Sequence, residues 1–293
     1  MKILITGAYG QLGNELKELA PRYSDFRFLF TDADTLDITD NKAIQSYFEK
    51  YLPDFVINCA AYTAVDNAET DAENARFVNA VAPGFLAGAA KKQGAGIIYI
   101  STDYVFDGKN YVPYSEEDPV NPKAVYGKTK LEGEQKCMAA NSESVIIRTS
   151  WLYSSFGHNF VKTMLRVGKE KGAVNVVFDQ LGTPTYAGDL AQVILPVAAR
   201  YAEKRSDLIP GIYHYSNEGA ISWFDFAHAV FEIAGINCKI NPIFSKELNL
   251  PAPRPPFSVL DKSKIKNTYD LEIPYWKESL KVCLEKLKNT NNE

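Results

Sequence analysis

Paired cysteines are the first thing this 293-residue chain lacks. Cys59, Cys137, Cys238 and Cys283 stand far apart with no Cys-x-x-Cys pair, and His158, His214 and His228 form no cluster of ligand spacing. A disulfide framework and a zinc centre are therefore not expected, and the thiols read as reduced. Positive charge is not in excess either: 32 Lys and Arg stand against 36 Asp and Glu, a formal charge of −4. Without a positive field, neither nucleic acid nor an anionic membrane is an expected partner, and an anionic ligand needs local basic groups. No apolar run reaches the roughly 20 residues that span a bilayer. Met1-Lys2 leads directly into a strand pattern with no signal-peptide layout, so a cytoplasmic location is expected. Internal repeats and low-complexity segments are also missing.

What the chain has is a regular alternation of short apolar runs with helical stretches. Lys2-Ile-Leu-Ile-Thr6 reads as a buried parallel strand, and Gly7-Ala-Tyr-Gly-Gln-Leu-Gly13 follows at once, opening a helix to about Ala20. Glycines here allow a tight turn, let backbone N–H groups approach a pyrophosphate, and let the helix lie close to the strand. The first gap of Gly7-x-x-Gly10-x-x-Gly13 is one residue longer than in the usual dinucleotide fingerprint, so its place between strand and helix carries the reading. A second strand, about Arg27 to Thr31, ends at Asp32, roughly 20 residues past the turn, where a carboxylate can accept from the adenosine ribose 2′-OH. From Thr31 to Asp40 there is no Lys or Arg. A 2′-phosphate would meet Asp32, Asp34 and Asp37 without a cation, so NADH is expected, with NADPH as the alternative carrier. The same aspartates also suit a turn.

The pattern continues with a helix from about Asn41 to Tyr51 capped by Asp40, a strand from Phe55 running into Ala60-Ala61, and an alanine-rich helix from about Glu73 to Gln93. Ile97 to Ser101 is a fourth strand, ending in the hydroxyl-rich Ser101-Thr-Asp-Tyr104, and Ser144 to Thr149 is a fifth. Strands alternating with helices predict an α/β fold, a Rossmann-type doubly wound parallel sheet, with a smaller, discontinuous C-terminal substrate domain. The expected division gives residues 1–150 plus about 173–205 to the NAD-binding part, with a strand at Val174 to Phe178 returning to the sheet. Residues of about 151–172 and 206–293 go to the substrate part, with the return of some of it to the sheet left open, and residues 289–293 are expected to fray.

Between the fourth and fifth strands lies Tyr126-Gly-Lys-Thr-Lys130. At i and i+4 a phenol and an ammonium share one helical face. A fixed cation a few ångströms from a phenol favours the phenolate, which moves the tyrosine toward a useful proton donor for carbonyl reduction. An ordinary surface pair has the same spacing.

With Gly7-x-x-Gly10-x-x-Gly13, Tyr126-x-x-x-Lys130 and the strand-end hydroxyl of Thr102 in that order, the chain resembles the extended short-chain dehydrogenases/reductases. Within them it is most similar to the dTDP-4-dehydrorhamnose reductases, through Asn58 to Asp66, Ser101 to Asp107, Val125 to Glu134, Arg148 to Tyr153, Asn159 to Leu165 and Gly182 to Thr185. That resemblance implies reduction of the 4-keto group of dTDP-4-dehydro-6-deoxy-L-mannose to dTDP-L-rhamnose. It implies catalytic Tyr126, Lys130 and Thr102, with Gly10, Gln11 and Leu12 along the pyrophosphate beside Gly7. It further implies Asp32 on the ribose, Asp37 and Ile38 beside the adenine, and Ala60, Ala61, Tyr62 and Thr63 along the cofactor, with Lys130 on the nicotinamide ribose. Thr102, Asp103, Trp151 and Arg254 fall on substrate-side positions, although Trp151 also suits a core and Arg254 a solvated loop. Some relatives bridge dimers through magnesium; Glu15 matches one ligand, but Gly188 and Gln192 stand at the others, so no metal is expected and a monomer or weak homodimer is. The alternatives are an epimerase or dehydratase on the same scaffold, or a silent nucleotide-binding regulatory subunit. Dehydratases of this type carry Asp-Glu after the threonine; here Asp103-Tyr104 leaves no base for elimination.

Overall fold

The computed structural model describes residues 1–290. Residues 291–293 of the stretch expected to fray lie outside the described residues, whereas Asn289 and Thr290 belong to the last helix. Six strands make the central sheet: β1 (Lys2–Thr6), β2 (Arg27–Thr31), β3 (Phe55–Asn58), β4 (Gly96–Thr102), β5 (Val145–Thr149) and β6 (Gly211–Tyr215). Their order is β2-β1-β3-β4-β5-β6 and every pairing is parallel. The longer helices are α1 (Gln11–Leu19), α2 (Asn41–Tyr51), α3 (Ala82–Gln93), α4 (Val125–Ala140), α5 (Phe160–Glu170), α6 (Ala187–Glu203), α7 (Trp223–Ala234) and α8 (Trp276–Thr290).

The inner strands are largely apolar because both of their faces are covered. Ile3 and Ile5 point to one side, where Leu12 and Leu16 of α1 and Leu190, Ile194 and Ala198 of α6 close the core. Leu4 points to the other, against Ile44 and Phe48 of α2 and Leu86, Ala87 and Ala90 of α3. Pleat alternation turns one apolar run into two helix-binding faces, which is the doubly wound arrangement expected. Asp40 caps α2 as expected, its carboxylate accepting from the Lys42 N–H at 2.8 Å. A third apolar cluster, holding Val161 and Met164 of α5, Phe226, Val230 and Phe231 of α7 and Leu280 and Leu284 of α8, lies under the later half of the chain.

Two strands are exchanged relative to expectation. The strand foreseen at Val174 to Phe178 runs Ala173–Val177 and does not return to the central sheet; it pairs in parallel with Lys239–Ile243 as a separate two-stranded sheet. Gly211–Tyr215, assigned to the substrate part, is instead the edge strand of the central sheet beside β5. The cause lies in which faces are covered. Ala173–Val177 exposes Ala173 and Asn175 and buries only its last two residues, while Tyr213, His214 and Tyr215 are all buried. Tyr213 and Tyr215 join the core of the α1–α6 face, and His214 lies edge-on to Phe106 with Nδ1 3.0 Å from the Tyr114 carbonyl. Helix α6 does return to the sheet as foreseen.

The single alanine-rich helix expected from Glu73 is interrupted. It runs Ala72–Arg76, makes a π turn at Phe77–Val81, and resumes as α3. The widened turn frees the Asn79 carbonyl to accept from the Tyr99 hydroxyl at 2.8 Å, and its side-chain amide donates to the Tyr62 carbonyl and to Thr129 Oγ1. A Cβ at Gly133 would sit 2.0 Å from the Asn79 oxygen, so α4 approaches this turn only because residue 133 is glycine. The π turn thereby ties α4, which carries Tyr126, to the segment after β3.

Candidate active site

A cleft of about 1150 Å³ runs along the carboxyl ends of the strands. At one end the backbone forms it. Gly7 has φ +64°, and a Cβ there would lie 2.7 Å from the Ala60 backbone; at Gly13 a Cβ would lie 2.4 Å from the Gly7 carbonyl. These contacts occur where β1 and β3 part, the switch point of the sheet, where open α/β proteins bind their ligands. Gly10 N donates to the Gly7 carbonyl at 3.1 Å, and Gln11 and Leu12 line the cleft beside them. Asp32 closes this end, accepting from the Tyr9 N–H at 3.0 Å and the Ala33 N–H at 2.8 Å. Asp37 and Ile38 line it too, although the Asp37 carboxylate also accepts from the Thr39 N–H and hydroxyl, the turn-forming role. Ala60, Ala61 and Thr63 border the cleft; Tyr62 does not, because its hydroxyl is drawn to Asp71 at 3.1 Å.

In the middle, Thr102 at the end of β4 and Tyr126 and Lys130 on α4 converge on the cleft. The i, i+4 spacing expected for Tyr126 and Lys130 does place both on the sheet-facing side, but the Lys130 ammonium is engaged elsewhere. Its Nζ donates to the Ile100 carbonyl at 2.6 Å and lies 4.2 Å from the centre of the Tyr99 ring. Burial pushes Lys130 down to about 7, with the Glu134 carboxylate the main group pulling it back up. Burial pushes the Tyr126 phenol up to about 12, while the Thr102 hydroxyl draws it down and the Asp103 carboxylate adds to the rise. The direct acidification of Tyr126 by Lys130 expected from spacing is thus not the dominant influence in the free protein. Tyr126 is instead kept as a neutral O–H donor at physiological pH. Asp103 is buried with its carboxyl pushed up to about 6, the Ser258 and Thr102 hydroxyls opposing; Oδ1 accepts from Thr102 at 3.0 Å and Oδ2 has no partner. Tyr104 stacks edge-on to Tyr126 at 5.4 Å, and burial raises its phenol further above the ordinary value.

At the far end the side chains come from distant segments. Trp151 lines the cleft, and so does Trp223, a residue that no local pattern singled out. Arg254 does not reach the main cleft. It borders a small adjoining recess with Tyr104 and Lys123, and its guanidinium is gripped by Asp66 through two bonds of 2.9 and 2.7 Å. Behind Lys130, Glu134 takes two bonds from Arg148 at 2.9 and 2.8 Å and one from the Ser101 hydroxyl at 2.5 Å, a fully buried ion pair. Glu134 was legible in principle, because it continues the i+4 series of Tyr126 and Lys130. At the position matched to a metal ligand, the buried Glu15 carboxylate accepts from Ser154 Oγ at 2.6 Å and from Lys286 Nζ at 2.8 Å.

Comparisons with known proteins agree with this geometry. The RmlD substrate binding domain family matches residues 1–289. A dTDP-4-dehydrorhamnose reductase of Aggregatibacter actinomycetemcomitans is 39% identical, covering 96% of this chain and 97% of its own. The crystal structure of a dTDP-4-dehydrorhamnose reductase from Clostridium acetobutylicum superposes with a TM-score of 0.93 at 44% identity, over 98% of this chain and all of that one (100%). The Bacillus anthracis dTDP-4-dehydrorhamnose reductase, solved in complex with NADP, gives 0.91 at 37% identity over 97% and 99%. Near-full-length identity of this order, on one shared fold, means that the chain belongs to the dTDP-4-dehydrorhamnose reductase family.

Proposed function

We propose that this chain reduces the 4-keto group of dTDP-4-dehydro-6-deoxy-L-mannose to give dTDP-L-rhamnose, using NADH in preference to NADPH. The observation that carries the reading is the convergence of Thr102, Tyr126 and Lys130 on one cleft whose other end is a glycine turn. The turn fits a dinucleotide: Gly7 and Gly13 let it fold tightly against the Ala60 and Ala8 backbone so that main chain lines the cleft, and Asp32, Ala33 and Asp34 supply no cation for a 2′-phosphate. When bound, the nicotinamide supplies hydride to the carbonyl carbon. Tyr126 gives its proton to the oxygen as that oxygen gains charge, and Thr102 donates to the same atom. Lys130 would hold the nicotinamide ribose, its Nζ fixed at the cleft by the Ile100 carbonyl. Asp103 and Trp151 hold the sugar. Arg254 serves the diphosphate only after leaving Asp66.

Tyr104 argues against dehydration, since a phenol raised by burial is no base for C5. The four free thiols fit a reducing cytoplasm, in which we expect a monomer or weak homodimer. Among the described residues no helix is long and apolar enough to cross a membrane. The test is turnover by purified protein: NADH is consumed one for one with the keto sugar, and dTDP-glucose yields no 4-keto product. A keto product from dTDP-glucose would favour a dehydratase, and no NADH consumption with either would favour a regulatory subunit.

A further inference from the structure

Among the described residues, three that are not glycine have positive φ: Leu52, Trp151 and Asp270. Leu52 and Asp270 are the C-caps of helices, where a left-handed residue ends the helix routinely. Trp151 caps nothing. It sits two residues past β5 with φ +47°, at the cleft, and a bulky residue in that region is held there only by its surroundings. Those surroundings are specific. The Trp151 indole stacks on Trp223 with ring centroids 3.6 Å apart and planes at 10°. A Cβ at Gly182 would come within 2.6 Å of the Trp151 ring, so the ring can take its place only because residue 182 is glycine. One segment fixes both partners: Ile221 pairs with Gly182 just before Trp223, and Thr185 N donates to the Trp151 carbonyl at 3.2 Å. Ser222 and Asp225 form a capping box that orients the start of α7, and hence Trp223.

The placement says what the pair is for. Thr102 faces Thr149 across β4 and β5, and Trp151 follows on the side away from Asp32, which stands at the opposite edge of the sheet. Whatever lies beyond the reacting carbonyl meets this aromatic wall, with Asp103 lining the same cleft. We propose that Trp223, with Gly182, is a positioning residue that holds Trp151 in its left-handed conformation, so that the stacked pair forms the apolar wall for the C–H face and methyl of a 6-deoxypyranose. Its place on the far side of the reacting carbonyl from Asp32 is what turns the wall toward the sugar ring. The inference rests on the proposed function and names the specificity element within it.

Calorimetric titration with dTDP-L-rhamnose, dTDP and NADH, alongside steady-state kinetics, tests it. Trp223→Ala should weaken dTDP-L-rhamnose binding roughly tenfold, the scale of one lost aromatic contact, and raise KM for the keto sugar alike. Affinity for dTDP and NADH should stay within about twofold, as should kcat, and Trp223→Phe should recover most of the loss. Gly182→Ala, whose added Cβ presses on the Trp151 ring and on Ser258 Oγ while residue 223 stays tryptophan, should reproduce the same split and covers the case in which Trp223→Ala does not fold. If the unaltered protein binds the sugar nucleotide and both variants leave its affinity unchanged, or lose dTDP and NADH equally, the inference is overturned while the function stands. If the unaltered protein neither binds nor reduces the sugar nucleotide, the functional reading fails and the inference falls with it.

Discussion

At the glycine turn the cleft is made of backbone, and at the far end it is made of side chains from segments distant in the chain, such as Trp151 with Trp223. The first region works through what is missing, since Gly7 and Gly13, by lacking a Cβ, let the turn pack directly against the backbone of Ala60 and Ala8. The second works through bulk held in place, with Trp151 kept in a costly conformation by Trp223. A backbone cradle suits a cofactor that many reductases share, whereas packed aromatics suit discrimination between sugars. Changes at the two ends should therefore separate cofactor from sugar effects, and changes at Tyr126, between them, should affect neither binding step.

The largest effect is expected at that midpoint. Tyr126→Phe should lower kcat by roughly 10² or more while NADH and sugar-nucleotide affinity stay near normal, because it deletes the proton donor and keeps the ring that stacks on Tyr104. Single-turnover kinetics with the keto sugar reads it directly; near-normal turnover would remove Tyr126 from the chemistry. At the cofactor end, Asp32→Ala should narrow the NADH over NADPH preference by roughly tenfold, since it removes both the ribose acceptor and the charge facing a 2′-phosphate. A protein that already prefers NADPH by kcat/KM would show that the acidic strand end has been misread.

Why one end was legible and the other was not follows from how each is built. Strand β1 falls where periodicity put it because burial on both faces imposes an apolar run, and Asp40 caps α2 by a local bond. The glycine turn and the Tyr126–Lys130 pair are likewise local spacings. Trp223 reaches Trp151 only through the pairing of Ile221 with Gly182, and Arg254 meets Asp66 across the fold; no window of sequence contains either contact. The exchange of Ala173–Val177 with Gly211–Tyr215 has the same root. The partner of a strand is set by which faces the rest of the chain covers, and that is not written within Ala173–Val177 or Gly211–Tyr215.

A smaller effect should appear in stability at the boundary of the sugar end. The Asp103 carboxyl is pushed up to about 6 by burial from an ordinary 3.8. The folded protein therefore holds this proton more tightly than the unfolded chain, and the stabilisation is complete below about pH 4 and is lost as pH rises to about 6. His214 acts in the opposite sense. Burial and the nearby Arg148 push it down to about 3, so its contribution is present above about pH 6.5 and is lost as pH falls. The two oppose each other between pH 4 and 6, and only a difference measurement separates them. Asp103→Asn should gain on the unaltered protein, by an amount on the order of 2–3 kcal/mol, as urea-unfolding titrations move from pH 4 to pH 6, and the difference should be flat above that. A difference independent of pH would mean that Asp103 is not titrating in the fold.

The smallest effect, none at all, is expected from magnesium. A carboxylate as buried as Glu15 needs a cation, and in this chain the cation is internal: Lys286 on α8 donates to Glu15 at 2.8 Å and also to Glu18, while Ser154 supplies a further donor. Burial works against the Lys286 charge, but the two glutamates outweigh it and leave its pKa above the ordinary lysine value, so the ammonium persists at neutral pH. A divalent ion would have to displace it, and the neighbouring positions offer no help. At Gly188 even a Cβ would lie 2.5 Å from the Tyr186 ring, which leaves no room for a carboxylate, and Gln192 turns its amide to the Gly188 carbonyl at 3.4 Å. A hard dication needs several oxygen ligands, and one already paired carboxylate does not supply them. Light scattering and turnover with EDTA or with added magnesium should therefore coincide. A dimer that appears only with magnesium would require Glu15 to release Lys286, and α8 would then be the element that moves.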